Sequence, residues 1–385
     1  MEYKYLILGG GMAADRAVQG IRSQDATSQI GIITREPYPC YERPPLSKGL
    51  WTGAPEDSIW RHTENERVTF HMEEEVTALD PIKHTVTTNK STYTYEKLLI
   101  ATGVSPRKLP CPDTGVIYYH DLKDYRKVRE LYAQGEHFVV IGSGYIGSEM
   151  AAALAMNGKK VTMIFPGPAI YHRKLPIKFA TFLNAYFTER GVQLKPGQTV
   201  NSVDQDGSLF HVTTSSGERI TADGVIAGIG CEPNLSFAHS LEQDNGLISN
   251  AKLQTSHPDI YAAGDIVNFH YPLVDTRLRI EHEDAANTMG FCAGQNMAGL
   301  AENYTHQPYF YSEMFELGYE AVGLLGQNFE IVEHWDDLYR AGIIYFCKEG
   351  VIKGAMSWGI WGQMDRIRHL ISSSARADSL TPLPQ

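Results

Sequence analysis

The stretch that decides the fold is YLILGGGMAADRAVQGI, residues 5–21. Its first four residues predict a buried strand, a Gly-x-Gly-x-x-Ala turn follows, and a helix comes next. A strand, this turn and a helix form the fingerprint of a dinucleotide-binding fold. In it Gly9 makes the tight turn, Gly11 lets the backbone approach a pyrophosphate, and Ala14 lets helix and strand pack closely. Glycine-rich turns also occur in structures that bind nothing, so one copy does not decide whether the chain binds a dinucleotide.

A second copy, FVVIGSGYIGSEMAAALAM, occupies residues 138–156. Two fingerprints, each between a strand and a helix, are hard to obtain by accident, so the chain is predicted to bind two dinucleotides. Each diphosphate would lie at the positive end of a helix. The predicted contacts from the two turns are Gly9, Gly11, Met12, Ala13, Ala14, Gly142, Gly144, Tyr145, Ile146 and Gly147.

Composition narrows the function classes. The chain has 385 residues, 43% of them hydrophobic, and a net charge of −11, which argues against nucleic acid and anionic membranes as partners. No apolar run is long enough to span a bilayer. The first strand is predicted to begin at Tyr3, which leaves no room for a cleaved leader, so a cytoplasmic protein is expected.

The five cysteines are odd in number and widely spaced, without a C-x-x-C pair: Cys40, Cys111, Cys231, Cys292 and Cys347. This pattern predicts reduced, mostly buried thiols in a reducing compartment. Dithiol chemistry is disfavoured, and no metal site is predicted.

The two halves repeat one plan. Residues 76–103 and 200–230 each predict a β-meander and then a buried strand that ends in glycine, at Ala101-Thr102-Gly103 and at Gly228-Ile229-Gly230. The repeat predicts an α/β fold with two Rossmann-like dinucleotide-binding domains. A C-terminal α+β domain, rich in aromatic residues, is predicted to follow. The predicted domains are 1–110 with 235–305, then 111–234, then 306–385.

Several segments outside the two fingerprints and meanders stay ambiguous. Glu36 follows the second strand, where an acid accepts hydrogen bonds from an adenosine ribose, but a solvated loop acid fits equally. The proline-rich segment 37–48 excludes regular helix and holds Arg43 and Lys48 either over the nucleotide cleft or in a rigid surface connection. A short strand over 259–265 ends in Gly264-Asp265, which fits a polyol contact or an ordinary turn. Helices are predicted over 281–301 and 363–374.

The order of these motifs resembles the two-dinucleotide-fold flavoprotein reductases. The pattern includes Arg43-Pro44-Pro45-Leu46-Ser47-Lys48, Glu149 after the second fingerprint, Gly264-Asp265 and Glu281-His282. Within that family the chain is similar to the branch of oxygenase-coupled ferredoxin and rubredoxin reductases and apoptosis-inducing factor. The resemblance implies FAD in the first domain and a nicotinamide nucleotide, NAD(P)H, in the second.

The resemblance also implies roles for single residues. Lys48 would pair with Glu149 beside the reactive flavin nitrogen, where a cation stabilises the reduced ring. Asp265 would hold the ribityl chain and Val76 would lie near the adenine. The further cofactor contacts that it implies are Arg43, Ala101, Thr102, Gly103, Gly230, Gly264, Glu281, His282, Tyr145 and Tyr311. For the two tyrosines, which would gate the nicotinamide and face the flavin, an ordinary core position is the alternative.

The chain departs from this family at three positions. Arg35 stands where relatives carry the ribose-binding acid, which leaves Glu36 as a substitute. Gly167 stands where an acid would contact the second ribose, and Glu283 replaces an aromatic or histidine. Because no carboxylate at 167 repels a 2′-phosphate, which His172, Arg173 or Lys174 would be able to bind, the choice between NADH and NADPH stays open.

The resemblance implies hydride transfer from NAD(P)H to FAD and electron release to a small iron–sulfur protein, a ferredoxin or rubredoxin. The net negative charge of the chain disfavours an acidic partner, unless a local basic patch, such as Arg279, Arg366 and Arg368, serves as the docking surface. The alternatives are a redox sensor like apoptosis-inducing factor, with a long-lived flavin–nicotinamide charge-transfer complex, and an NAD(P)H oxidase with Cys40 as its redox thiol. Self-association into a homodimer is a further expectation.

Overall fold

The computed structural model describes residues 1–271 and 276–380, and the chain forms two compact units. The first unit comprises Met1–Arg43, Glu56–Ser105 and Glu232–Phe310. The second comprises Pro44–Pro55, Pro106–Cys231 and the chain from Tyr311 onward. Each unit contains one of the two glycine fingerprints.

The first 230 residues contain four helices and fifteen strands among those described: β1 (Glu2–Leu8), α1 (Met12–Arg22), β2 (Ile30–Ile33), β3 (Val68–His71), β4 (Val76–Asp80), β5 (Thr85–Thr88), β6 (Thr92–Ile100), β7 (Val104–Pro106), β8 (Ile117–Tyr118), α2 (Leu122–Gln134), β9 (His137–Ile141), α3 (Tyr145–Met156), β10 (Lys160–Phe165), α4 (Ile177–Glu189), β11 (Val192–Pro196), β12 (Val200–Asp206), β13 (Leu209–Thr214), β14 (Arg219–Ala222) and β15 (Gly224–Ala227).

The remaining described residues contain β16 (Cys231–Pro233), β17 (Leu247–Ile248), β18 (Ile260–Ala262), β19 (Val267–Tyr271), β20 (Thr276–Arg279), α5 (Glu283–Met297), β21 (Tyr309–Met314), β22 (Leu317–Gly323), β23 (Glu330–Asp337), β24 (Ala341–Lys348), β25 (Val351–Trp358) and α6 (Met364–Ser372).

The first unit is built on a sheet of order β3-β2-β1-β6-β5-β4, with β18 beside β6. The central strands β2, β1, β6 and β18 run parallel, and their apolar runs are buried on both faces. Leu8 pairs with Ile33 on one side and with Ile100 on the other. The strands therefore end at one edge, where Gly9 and Ala101 follow.

Helices α1 and α5 of the first unit pack backbone against backbone. A methyl group on Gly290 would lie 2.3 Å from the carbonyl oxygen of Ala13, and one on Gly294 would lie 2.2 Å from that of Ala17. A methyl group on Gly20 of α1 would likewise lie 2.2 Å from the carbonyl oxygen of Phe291. Only glycine fits at these three crossing points, because any larger residue would meet rigid backbone.

The second unit repeats the parallel arrangement in a sheet of order β11-β10-β9-β15-β8. Helix α3 connects β9 to β10, which are parallel neighbours. The antiparallel meander β12-β13-β14 precedes β15, just as β4, β5 and β6 follow one another in the first unit. Two strand–turn–helix–strand units and two meanders confirm the predicted internal repeat.

The C-terminal part of the second unit is an antiparallel sheet of order β21-β22-β25-β24-β23, and α6 packs against it. The inner strands β24 and β25 are almost wholly buried. Together with the two Rossmann-like sheets, this sheet and helix confirm the predicted fold class. The predicted domain boundaries stay a prediction.

Several predicted segments differ in detail from the structure. The helix predicted over 281–301 is confined to Glu283–Met297, and the strand predicted over 259–265 is the three-residue β18. The proline-rich segment contains one 3₁₀ turn, Pro44–Ser47, because a proline fits the first turn of a helix. In the C-terminal domain, strands were expected over 309–313, 341–348 and 351–357. Strands β22 and β23 were missed, since their alternation is interrupted by glycine and charged residues.

Candidate functional site

The first glycine turn lies at the carboxyl edge of the parallel strands. Gly9 has φ +107°, its N–H donates to the carbonyl of Ile33 at 2.8 Å, and a methyl group on it would lie 2.2 Å from the carbonyl oxygen of Ala101. Glycine is therefore obligatory here, both for the left-handed conformation and for the close approach. The contact also places Ala101 beside the turn.

Both glycine turns fit the phosphates of a dinucleotide. Gly11 and Gly144 are the N-cap residues of α1 and α3, and no described side chain caps either helix. A methyl group on either glycine would have no described atom within 4 Å. Open space in front of uncapped N–H groups at a helix N-terminus is what a diphosphate requires.

The Gly264-Asp265 turn lies against the first fingerprint. A methyl group on Gly264 would lie 3.2 Å from Cβ of Ala13. Burial, and secondarily the carboxylate of Glu281, raise the pKa of Asp265 to about 7, whereas Arg43 and Arg279 oppose the shift. Five predicted positions of the first site, Ala13, Arg43, Gly264, Asp265 and Glu281, therefore lie in one neighbourhood. Their roles toward the cofactor stay predictions.

The Asp265 carboxyl predicts a pH effect on stability once flavin has been removed. Its folded-state pKa, about 7, exceeds the ordinary value of 3.8, so the folded chain holds a proton that the unfolded chain releases. The stabilisation is complete below the ordinary pKa and is lost as the pH rises through 7. Flavin-free wild type should therefore lose melting temperature between about pH 5 and about pH 8 relative to Asp265→Asn. Parallel melting profiles of the two proteins would contradict this.

Glu36 is held by its neighbours in the first unit. Its Oε1 accepts a hydrogen bond from Arg43 at 2.5 Å, and its Oε2 accepts one from the Tyr41 hydroxyl at 2.6 Å. The carboxylate is oriented at the end of β2, the position expected for a ribose acceptor. The N–H of Glu74 donates to the carbonyl of Thr34 at 3.0 Å, which brings Val76 near the same strand end.

The second glycine turn repeats the first. Gly142 has φ +111°, and a methyl group on it would lie 2.3 Å from the carbonyl oxygen of Gly228. A methyl group on Gly147 would lie 2.3 Å from the carbonyl oxygen of Gly142, which explains the glycine where the first copy has Ala14. The Gly228–Gly230 segment thus lies beside the second fingerprint.

Glu149, one turn into α3, is the centre of a buried polar cluster in the second unit. Its side chain is 2% exposed. Oε2 accepts hydrogen bonds from Lys48 Nζ at 2.7 Å and from the Ser47 hydroxyl at 2.6 Å, and Oε1 accepts one from the Ser312 hydroxyl at 2.6 Å. The structure therefore brings together the predicted Lys48–Glu149 pair. Three donors on one carboxylate offset its desolvation.

Ser148, Ser312 and Tyr171 belong to this cluster, and the sequence did not identify them as site residues. Tyr171 is buried, and its hydroxyl accepts from Ser148 at 2.8 Å and lies 3.3 Å from the Ser312 hydroxyl. Burial, and secondarily Glu149, raise the pKa of Tyr171, so the hydroxyl stays protonated. The available signal for Ser312 was a hydroxyl within the aromatic segment of β21; no signal pointed to Tyr171.

The two predicted aromatic contacts, Tyr145 as the nicotinamide gate and Tyr311 as the residue that would face the flavin, lie in this neighbourhood. Lys48 Nζ lies 5.3 Å from the ring centroid of Tyr311, and the rings of Tyr145 and Tyr171 are 5.4 Å apart. Tyr145 and Tyr311 are both half-buried, and their roles toward the cofactors stay predictions. In the first unit, His282 is the N-cap residue of α5, and its ring is 4.3 Å from that of Phe310.

The cysteines form no disulfide and no C-x-x-C pair. All five are free, and Cys40 is fully buried, with burial raising the pKa of its thiol to about 12. A thiol with so high a pKa is a poor nucleophile, which argues against Cys40 as a redox thiol. None of the helices in residues 1–271 and 276–380 has the length and hydrophobicity that a bilayer-spanning segment needs.

Residues 3–290, about three quarters of the chain, match the family described as pyridine nucleotide-disulphide oxidoreductase. The chain belongs to this family. Residues 293–337 match a second family, the C-terminal region of mitochondrion-associated apoptosis-inducing factor. The two matches cover most of both units and confirm the predicted resemblance.

Relatives share almost the whole chain. Identity is 30% to apoptosis-inducing factor 1, mitochondrial, of Dictyostelium discoideum, over 99% of this chain and 80% of that protein. Identity is 28% to the ferredoxin–NAD(+) reductase component of the 3-phenylpropionate/cinnamic acid dioxygenase of Photorhabdus laumondii, over 97% of this chain and 98% of that protein. The solved putidaredoxin reductase–putidaredoxin complex is 26% identical, with TM-score 0.89 over 97% of this chain and 93% of that one.

Family membership makes this protein an FAD-dependent NAD(P)H oxidoreductase. The predicted cofactors, FAD and NAD(P)H, are confirmed, and both glycine turns have the open helix N-terminus that a dinucleotide needs. The family name refers to disulphides, whereas the five cysteines of this chain are free and include no C-x-x-C pair.

Proposed function

We propose that this protein passes electrons from NAD(P)H, through FAD, to a small iron–sulfur protein of the ferredoxin or rubredoxin class. The observation that carries the proposal is the similarity to a ferredoxin–NAD(+) reductase component over 97% of this chain and 98% of that protein. The related putidaredoxin reductase has been solved with its putidaredoxin, which supports an iron–sulfur partner. The free cysteines favour electron transfer over disulphide reduction.

When bound, the flavin supplies the redox chemistry, accepting a hydride and releasing electrons one at a time. We assign Lys48 and Glu149 the catalytic positions beside it. Lys48 presents a cation that favours negative charge on a neighbouring ring, and Glu149 fixes the ammonium group at 2.7 Å. Ser47 and Ser312 position the Glu149 carboxylate. This arrangement is preorganised, because every donor is already in place on a buried acceptor.

The docking surface proposed for the iron–sulfur partner requires a correction. Arg279 cannot belong to an exposed basic patch, because its side chain is 9% exposed and pairs with Glu281 at 2.7 Å. Arg366 and Arg368 on α6 are half-buried, and Arg368 pairs with Asp365 at 3.2 Å. The predicted patch is therefore wrong for Arg279. Its other two members, Arg366 and Arg368, both lie on α6.

Cytochrome c reduction tests the proposed function. Purified flavoprotein with NADH or NADPH should reduce cytochrome c rapidly only when a ferredoxin or rubredoxin is added, since the small protein carries the single electrons. Omitting the iron–sulfur protein is the control. A rate that no member of either class accelerates would contradict the proposal.

The second candidate is a redox sensor, favoured by the match of residues 293–337 to the C-terminal region of apoptosis-inducing factor. Stopped-flow reduction separates the two functions. Slow reduction with a persistent long-wavelength band and poor turnover would favour the sensor. Rapid turnover with an added ferredoxin favours the reductase.

The cytoplasm is the proposed compartment, since unpaired cysteines are typical of a reducing environment. The Dictyostelium relative is named as mitochondrial, so fractionation of the native host decides between the cytoplasm and the mitochondrion. A homodimer stays a prediction, for which sedimentation analysis of the purified protein is the test.

A further inference from the structure

We propose that Tyr171 is a positioning residue for the Lys48–Glu149 pair, on which it acts through a chain of three hydroxyl groups. The chain runs from Ser148 through Tyr171 to Ser312 and ends on the Glu149 carboxylate. The inference deepens the proposed function and rests on its assignment of Lys48 and Glu149 beside the flavin. All five residues lie in the second unit.

The direction of the chain follows from the number of hydroxyl hydrogens. Glu149 is paired with Lys48, and a carboxylate oxygen only accepts, so Ser312 donates its single hydrogen to Oε1 at 2.6 Å. Ser312 then has no hydrogen left for Tyr171, so Tyr171 is the donor in the 3.3 Å contact between the two hydroxyls. The two links nearest to the carboxylate therefore have a fixed direction.

Ser148 is the outer member of the chain. Its hydroxyl donates to the oxygen of Tyr171 at 2.8 Å, but it also lies 2.9 Å from the carbonyl oxygen of Gly144 and 3.0 Å from that of Tyr145. A hydroxyl has one hydrogen, so these three acceptors share it. Ser148 therefore contributes less to the chain than Tyr171 or Ser312 does.

The chain is shielded from water. The exposed fraction is 0% for Ser148 and Ser312, 2% for Glu149 and 5% for Tyr171. Burial raises the pKa of Tyr171, so this residue keeps the proton that it donates. In a buried chain each hydrogen bond polarises the next, and a member without its partner costs free energy. Loss of one hydroxyl therefore weakens the bonds that follow it.

The backbone at Tyr171 has a conformation that bulky residues avoid, with φ +55°. Its N–H donates to the carbonyl of Ser143 at 3.1 Å, and its ring lies 5.4 Å from that of Tyr145 and 6.3 Å from that of Tyr319. These contacts and the hydroxyl bonds hold the residue in place. Strain at a residue beside a functional pair points to a role for its side chain.

The two oxygens of Glu149 have different partners. Oε2 accepts from Lys48 at 2.7 Å and from Ser47 at 2.6 Å, whereas Oε1 accepts from Ser312. The last torsion angle of a glutamate has a broad energy profile, so bonds on both oxygens are needed to fix the carboxylate plane. A weaker bond on Oε1 lets the carboxylate rotate and moves the ammonium group with it. Tyr171 thereby helps to set the position of the Lys48 charge.

Tyr171→Phe, which removes the hydroxyl and keeps the ring, tests this role in the FAD-loaded protein. Flavin reduction by NAD(P)H should slow about tenfold, the factor expected for one hydrogen bond to a charged group. The nucleotide concentration at half-maximal rate should not change, since the ring and the N–H bonded to Ser143 are kept. The flavin midpoint potential should become more negative, because a displaced cation stabilises the reduced ring less. Stopped-flow absorbance and anaerobic redox titration measure these quantities.

Tyr186→Phe is the matched control. It removes the hydroxyl of another buried tyrosine of the second unit, one that bonds to Glu316, and should change none of the three quantities. Ser312→Ala should slow reduction more than Tyr171→Phe does, and the double variant should be no slower than Ser312→Ala, because Tyr171 acts through Ser312. Ser148→Ala should have the smallest effect and tests the chain without altering the strained residue.

The possible results separate the positioning role from the proposed function. A Tyr171→Phe protein with the rate and midpoint potential of wild type would overturn the positioning role and leave the reductase function intact. Losses that multiply in the double variant would overturn it as well, since the two residues would then act independently. An unchanged rate in Lys48→Ala would overturn the assignment on which the inference rests. Wild type that neither NADH nor NADPH reduces would overturn the proposed function itself.

Discussion

Replacing Lys48 by alanine is expected to slow flavin reduction by NAD(P)H about a hundredfold while the protein keeps its FAD. The ammonium group donates to the Glu149 carboxylate at 2.7 Å, and its side chain is 13% exposed. A charge fixed in a site from which water is largely excluded acts more strongly than one in water, so its loss removes a large part of the electrostatic stabilisation.

The Lys48→Ala protein should still fold. Glu149 keeps its hydrogen bonds from Ser47 and Ser312, both at 2.6 Å, so the buried carboxylate is not left without donors. The predicted FAD contacts of the first unit, such as Gly11 and Asp265, are untouched. The expected phenotype is therefore a kinetic defect in a yellow, stable protein.

Anaerobic stopped-flow absorbance at the flavin band measures this prediction. Lys123→Ala, which removes an exposed lysine on α2, serves as the matched control and should reduce at the wild-type rate. Glu149→Gln and the double variant complete a cycle, in which the two losses should be far from additive, because the residues act as one pair. Wild-type kinetics in Lys48→Ala would remove the pair from the mechanism.

The sequence predicted those parts of the site that rest on local patterns. A strand, a glycine turn and a helix are contiguous in the chain, so Gly9–Ala14 and Gly142–Gly147 were identifiable from the order of their residues alone. The Lys48–Glu149 pair is different, since 101 residues separate its members and no periodicity connects them. It was predicted from the family resemblance, and the structure shows the contact itself.

The parts that were missed depend on long-range packing. Ser312 reaches Glu149 from 163 residues away, and a serine in a strand carries no sign of its partner. Arg279 was expected in an exposed patch, although its side chain pairs with Glu281 in a buried position. A helix was predicted over 281–301 without a packing partner, and only the folded chain shows that the glycines of α5 face α1. Burial and partner choice are set by tertiary packing, which local sequence does not encode.

Replacing Gly290 by alanine is expected to lower the stability of the protein by about 2 kcal/mol and to weaken FAD retention. The new methyl group would lie 2.3 Å from the carbonyl oxygen of Ala13, and contacts of such a carbon below 3.0 Å essentially never occur, so the helices must separate by at least 0.7 Å. Alanine favours the helix by about 1 kcal/mol over glycine, which offsets only part of the overpacking cost. The displaced segment begins α1, whose N-terminus is the predicted phosphate site.

Thermal melting and the flavin-to-protein absorbance ratio after gel filtration measure this effect together. A loss of about 2 kcal/mol corresponds to a melting temperature lower by about 4–8 °C in a domain of this size. Phe291→Ala, next to Gly290 on α5 with its ring 37% exposed, is the control, since it removes bulk from the same helix without crowding α1. Because a separation of the helices moves the Gly11 N-cap as well, flavin loss should accompany the lower melting temperature in Gly290→Ala and be absent in Phe291→Ala. A Gly290→Ala protein that melts like wild type and stays fully yellow would show that the two helices do not approach this closely.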